Sequence, residues 1–152
     1  TGVAGTLTPA IPCADAYEPD DIVGHAMVVG ATELHSFCPP GDVDRVVFTA
    51  KHGRRYRIET LELTPGVDTQ LDALLSGQTY TNNDRAPNQF SSLVEVVNST
   101  GADVPVFVTV TNRGVFGADK FYKLRVTDRI LQDEPRERRH DRRESGALGF
   151  RC

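Results

Sequence analysis

Apolar and polar side chains alternate along the chain between His35 and Asp128, which is the pattern of β-strands that bury one face. Turn-forming pairs such as Pro65-Gly66 and Thr100-Gly101 interrupt the alternation. Short strands at this spacing predict an all-β protein, built as an antiparallel, jelly-roll-like β-sandwich or a barrel. The clearest predicted strands are residues 43–51, 54–63, 90–97, 104–112 and 121–127.

The two ends of the chain depart from this pattern. Residues 1–14 are uncharged and contain Pro9 and Pro12, so we expect an extended segment there and no helix. Residues 129–152 form a charged tail in which the stretch 134–144 has no apolar face to bury. We therefore expect three parts: the extended segment 1–14, a β-sandwich domain over residues 15–128, and the charged C-terminal tail 129–152.

The composition of the 152 residues excludes several classes of protein. Hydrophobic residues make up 39% and charged residues 25%, which is unlike an intrinsically disordered chain. No apolar run approaches the ~20 residues that a membrane-spanning helix needs. The net charge of −4 argues against nucleic acid as a partner.

Three cysteines and one sequon bear on where the chain resides. A disulfide between Cys13 and Cys38 would close a loop of about 25 residues and stabilise the fold by about 3 kcal/mol. Alternatively, both are small buried apolar side chains. Cys152 is then an odd thiol, available for an intermolecular bond. The sequon at Asn98 predicts glycosylation, and a chain that starts at Thr1 fits a mature protein without its signal peptide, so we expect secretion.

Catalytic motifs are missing from the sequence. His25, His35, His52 and His140 form neither an HExxH motif nor a zinc-type pattern with cysteine. There is no GxSxG elbow and no glycine-rich phosphate loop. We expect His35 to be a structural residue of a strand and the protein not to be an enzyme.

Two acidic clusters are candidates for binding calcium, which takes about six to eight oxygen ligands. The first is Glu18-Pro19-Asp20-Asp21, and the second is Gly41-Asp42-Val43-Asp44, which opens a predicted strand. The alternative is that these carboxylates cap turns and stay solvated. The loop Asn82-Asn83-Asp84 is a further cation candidate, with the same alternative.

The order of these segments resembles the bacterial pre-peptidase C-terminal domain, a family that includes the collagen-binding modules of clostridial collagenases. The resemblance covers residues 15–127. It rests on Glu18-Pro19-Asp20-Asp21, on the Gly-Asp-x-Asp motif before an apolar strand, on Asp68-Thr69-x-Leu71 and on Asn82-Asn83-Asp84. It implies a secreted, non-catalytic, jelly-roll-like β-sandwich that often binds calcium between the two acidic segments.

The resemblance also implies a ligand set for calcium: Glu18, Asp20, Asp21, Asp42 and Asp44. This chain departs from the family pattern at two positions, because Ala16 and Gly41 stand where calcium-binding members have acidic residues. Two fewer carboxylates are therefore available to the ion. Collagen-binding relatives use exposed tyrosines, but we expect most aromatic rings of this chain to lie in the core.

Two functions follow from these features. In the first, the protein is a structural subunit that binds copies of itself and builds an extracellular assembly or filament. Its N-terminal segment would extend a neighbour's sheet, and its tail would dock through Arg138, Arg139, Arg142, Arg143 and Phe150, with Cys152 as a cross-link. In the alternative, it is a calcium-stabilised accessory module of a secreted peptidase that binds collagen, polysaccharide or a cell surface.

Overall fold

A computed structural model describes residues 15–131, which form nine β-strands in two sheets. The strands are β1 (His25–Ala26), β2 (Thr32–Ser36), β3 (Val43–Ala50), β4 (Arg54–Leu61), β5 (Thr69–Leu75), β6 (Gln78–Asn82), β7 (Leu93–Asn98), β8 (Val104–Asn112) and β9 (Phe121–Ile130). The predictions for residues 1–14 and for the tail beyond residue 131 lie outside the described residues.

The two sheets form an antiparallel sandwich. One has the strand order β1-β3-β8-β5-β6 and the other β2-β9-β4-β7. Every neighbouring pair is antiparallel except β1 with β3. The predicted all-β, jelly-roll-like sandwich is confirmed. In residues 15–131 no helix is long and apolar enough to cross a membrane.

Alternate residues of the central strands point between the sheets, as the sequence pattern predicts. Val46, Phe48 and Ala50 of β3 are buried, and so are Tyr56 and Ile58 of β4. Removing such side chains from water is the main favourable contribution to folding. The end of β2 lies close to the start of β3, with His35 Nδ1 3.8 Å from Asp44 Oδ1, and the Ser36 N–H donates to Asp15 in the loop that precedes β1.

Asn98, the sequon asparagine, lies in the interior at the end of β7 and is fully buried. Its Nδ2 donates both hydrogens, to the carbonyl oxygens of Ala50 and Ala102, at 2.8 Å each. Its Oδ1 accepts hydrogen bonds from the backbone and side chain of Thr100. In this fold the amide braces a turn, and a glycan on Nδ2 would require the side chain to leave the interior.

Cys38 is buried at the turn before β3. Its predicted partner, Cys13, lies outside the described residues, as do Cys152 and the predicted docking residues Arg138, Arg139, Arg142, Arg143 and Phe150. The disulfide and the docking of the tail therefore remain predictions.

Candidate metal centre

One end of the sandwich brings together two acidic segments that are far apart in sequence. The loop 15–24 precedes β1, and the second segment runs from residue 38 into β3. Two contacts join them: the Val43 backbone N–H donates to Asp21 Oδ1 at 2.9 Å, and Arg45 Nε donates to the Asp21 carbonyl oxygen at 2.7 Å. These contacts hold the loop 15–24 on β3 and so bring the two acidic segments together.

Four carboxylates meet at this junction, and we call them the carboxylate cluster: Glu18, Asp20, Asp42 and Asp44. Each offers one oxygen, and these oxygens all lie within 4.8 Å of one another. All four belong to the ligand set that the family resemblance implied. The fifth residue of that set, Asp21, is exposed and lies beside the cluster, with Oδ1 bonded to the backbone of Val43.

Several oxygens of the cluster are buried and unpaired. Glu18 Oε1, both oxygens of Asp20, and Oδ1 of Asp42 and of Asp44 accept no hydrogen bond from the residues that the structure describes. Asp42 Oδ2 accepts a hydrogen bond from the Cys38 N–H at 2.9 Å, and Asp44 Oδ2 accepts one from the Tyr122 hydroxyl at 2.6 Å. Burying unpaired carboxylates is unfavourable. An all-oxygen donor set of this kind fits a hard divalent cation.

The raised pKa values of the cluster also indicate a site for a cation. Burial raises the pKa of Asp20 to about 8, and the neighbouring carboxylates of Asp44 and Glu18 add to the effect. Burial also raises the pKa of Asp42 to about 8, again with help from Asp44. The pKa of Glu18 is raised chiefly by burial. Like charges at this spacing resist ionisation together unless a cation lies among them.

The structure also accounts for the two departures from the family pattern. Gly41 adopts φ of 87°, a left-handed conformation that favours glycine, so it acts as a turn residue. Ala16 is exposed. A carboxylate that sequence reasoning did not select, Asp15, lies beside the cluster and groups with His35 and Asp44: its Oδ2 accepts from the Ser36 N–H at 2.8 Å and lies 3.6 Å from His35 Nδ1.

Two histidines and a glutamate form a second group beside the cluster, which we call the His–Glu–His group. Glu33 Oε1 lies 2.8 Å from His25 Nε2 and 3.0 Å from His35 Nε2. Burial alone would lower the pKa of His35, but the carboxylates of Asp44 and Glu33 outweigh it and raise that pKa to about 10. Sequence reasoning treated His35 as a structural residue and missed the other two. The spacing of 33 and 35 on one strand face was the available signal.

Other sequence candidates have structural roles. Asn82 Oδ1 accepts from the Leu93 N–H at 3.0 Å, and Asn82 Nδ2 donates to the Asp84 carbonyl oxygen at 3.2 Å, so this asparagine braces its loop. Among the aromatic residues, Tyr56 and Tyr122 are buried, whereas Phe90 and Phe107 are exposed.

A solved structure has the same fold. The chain is similar to the pre-peptidase C-terminal domain of collagenase from Bacillus anthracis, with 10% sequence identity and a TM-score of 0.50. The alignment covers 71% of this chain and 96% of that domain. No protein-family model and no curated protein sequence matches this chain. The chain thus has the fold of a pre-peptidase C-terminal domain, as the sequence motifs predicted.

Proposed function

We propose that this chain is a calcium-stabilised, non-catalytic accessory module of a secreted protein. The observation that supports the proposal best is the carboxylate cluster, in which four acidic side chains turn unpaired oxygens towards one another inside the fold. The ion would join the loop 15–24 to β3. Binding to the native state alone would then stabilise the sandwich by mass action.

Calcium suits the cluster better than magnesium or a transition metal. All of its donors are carboxylate oxygens, and calcium accepts irregular oxygen sets with carboxylates in one- or two-oxygen contact. Magnesium demands near-octahedral geometry and keeps several waters, which a buried cluster disfavours. The likeness to a collagenase domain supports a role beside a catalytic domain, with secretion as part of the same proposal.

A calcium titration tests this proposal. The protein, freed of metal with chelator and then exchanged into buffer, should gain about 2.7 kcal/mol in unfolding free energy when calcium reaches 100 times its dissociation constant. Chemical denaturation at several calcium concentrations measures the gain, and magnesium serves as the matched control. An unfolding curve that neither chelator nor calcium changes would contradict the proposal.

The ligand of such a module remains a proposal as well: collagen, polysaccharide or a cell surface. One exposed feature supports a binding face. Phe107 of β8 and Leu74 of β5 are paired in register on the outer face of the five-stranded sheet, and they are 52% and 38% exposed. Apolar side chains exposed together on a sheet are typical of interaction surfaces.

Self-assembly is the second candidate function, and a different observation favours it. Ile22, Val23 and Val28 are exposed by 86%, 76% and 72% beside β1, an edge strand of the five-stranded sheet. An apolar surface next to a strand edge that no other strand within residues 15–131 pairs with suits association with a second copy of the chain.

Light scattering of the full chain distinguishes the two candidates. If the β1 edge is an interface, the protein should form oligomers that the double substitution Ile22→Ser and Val23→Ser dissociates. Val115→Ser removes an exposed apolar side chain elsewhere and should leave the oligomers intact. A monomer at every concentration would overturn self-assembly and leave the accessory module.

A further inference from the structure

The His–Glu–His group places three metal-binding atoms at the spacing of a metal's ligands. His25 Nε2, Glu33 Oε1 and His35 Nε2 lie within 4.8 Å of one another, with the glutamate oxygen 2.8 and 3.0 Å from the two nitrogens. Nitrogen and oxygen ligands at about 2.0–2.2 Å from a tetrahedral zinc ion are themselves about 3.4 Å apart. The observed distances are about half an ångström shorter, so small side-chain movements would admit an ion.

The other nitrogen of each ring lies among carboxylates but makes no hydrogen bond within the described residues. His35 Nδ1 faces carboxylate oxygens of Asp15, Asp44 and Asp20 at 3.6, 3.8 and 3.9 Å. His25 Nδ1 faces Asp20 Oδ2 at 3.7 Å. A histidine that binds a metal through one nitrogen usually directs the N–H of the other towards a carboxylate. A metal ion on the two Nε2 atoms would place the ring protons on Nδ1, where these carboxylates lie.

Without a metal, each ring can carry a proton on Nε2 and donate it to Glu33 Oε1, at 2.8 and 3.0 Å. The two Nδ1 atoms are then left buried without a hydrogen-bond partner in the described residues, which is unfavourable. A shared divalent ion would replace the Nε2 protons, contact all three donor atoms, and leave each Nδ1 with a hydrogen directed at a carboxylate.

We propose that His25, Glu33 and His35 bind a first-row divalent transition-metal ion such as zinc. Two imidazoles with one carboxylate form a ligand set that such metals favour and that calcium, which prefers oxygen, does not. The ring of Tyr17 covers both imidazoles, with centroid distances of 4.5 and 4.8 Å. The side chain of His25 is 23% exposed, which gives the ion access from solvent.

This second site shares no ligand with the carboxylate cluster, so it does not depend on the calcium proposal. The two sites meet through Asp20, whose Oδ2 faces both histidine rings, and through Asp44, whose Oδ1 faces His35. Calcium binding and zinc binding can therefore be measured separately, and either can fail alone.

Zinc titration by calorimetry, with calcium held at saturation, tests the site. Wild-type protein should bind zinc at one tight site, and His25→Gln should weaken the zinc affinity by more than about 100-fold. Loss of a residue that hydrogen-bonds to a metal ligand costs ~10–100-fold in affinity, and loss of the ligand itself should cost more. His52→Gln is the matched control, since His52 is 66% exposed and contacts Asp103 far from the site. The circular dichroism spectrum and the cooperative unfolding transition of zinc-free His25→Gln should match those of wild type, which shows that the variant folds.

Nuclear magnetic resonance of the histidine ring nitrogens provides a test that needs no substitution. Zinc should shift the Nε2 resonances of His25 and His35 and leave those of His52 unchanged. The proposal is overturned if wild-type protein binds no zinc, if His25→Gln binds it as tightly as wild type, or if zinc leaves both Nε2 resonances where they were.

Discussion

Replacing Asp20 with asparagine should stabilise the calcium-free protein and destabilise the calcium-bound protein. Asp20 is 1% exposed, and neither of its oxygens accepts a hydrogen bond within the described part of the chain. Without a cation, burial, Asp44 and Glu18 disfavour the ionised form of Asp20 even though His25 and His35 lie 3.7 and 3.9 Å away, since the pKa is raised to about 8. In alkaline buffer the substitution removes this charge and should raise the unfolding free energy by about 1–3 kcal/mol. With calcium, it removes a charged ligand, so most of the calcium-dependent gain should be lost.

Denaturation in alkaline buffer with chelator, and again with saturating calcium, measures both effects. Asp119→Asn is the control, because Asp119 is exposed and lies outside the cluster, so it should change neither curve. A change of the same sign in both buffers would contradict the assignment of Asp20 as a ligand.

The pH dependence of the calcium-free protein provides a second readout of the same variant. The pKa values of Asp20 and Asp42 are raised from 3.8 to about 8 in the folded state. Between those limits the native state holds protons that the unfolded state has released, so stability should fall as pH rises through this window. Asp20→Asn should reduce that slope.

Replacing Glu59 with glutamine should destabilise the protein by about 2–4 kcal/mol, because it leaves several cations without their shared buried partner. Glu59 is 3% exposed on the outer face of β4. Its carboxylate accepts from Arg85 Nη2 at 2.7 Å and Arg125 Nη2 at 3.2 Å, and Arg57 Nε lies 3.3 Å away. The interaction joins β4 to β9 and to the loop between β6 and β7.

The contribution of the Glu59 interaction to stability has the opposite pH dependence to that of Asp20 and Asp42. Burial alone would raise the pKa of Glu59, but the hydrogen bonds from Arg85 and Arg125 outweigh it and lower that pKa. The stabilisation is therefore present above the ordinary glutamate pKa of 4.5 and is lost as pH falls through the lower folded-state value. Glu59→Gln should lose this dependence.

Glu62→Gln is the control for Glu59, because Glu62 pairs with Lys123 on the surface, with 67% and 41% of their side chains exposed. Such pairs contribute about 0–1 kcal/mol. Thermal unfolding of the three proteins compares them. Equal effects of Glu59→Gln and Glu62→Gln would show that the contacts of the buried Glu59 carboxylate contribute no more to stability than an exposed ion pair.

The sequence determined the local structure wherever one strand face is apolar and the other polar. The alternation in β3 and β8 predicted both the strands and the buried positions, because the two-residue period of a strand is a local property. The strands predicted from the sequence did not include β1, β2, β5 or β6. In β5 the closely spaced Leu71, Leu74 and Leu75 suit a helix as well as a strand, and β6 is a largely polar edge strand.

The acidic motifs likewise identified Glu18, Asp20, Asp42 and Asp44 as candidate ligands, because each pair is contiguous or nearly so in sequence. The tertiary structure decided that their unpaired oxygens face one another, since this depends on how the loop 15–24 is held on β3. Only the sandwich brings His25 and Glu33 together, or Glu59 and Arg125. Pairing between distant strands is set by the global register of the sheets, which no local pattern encodes.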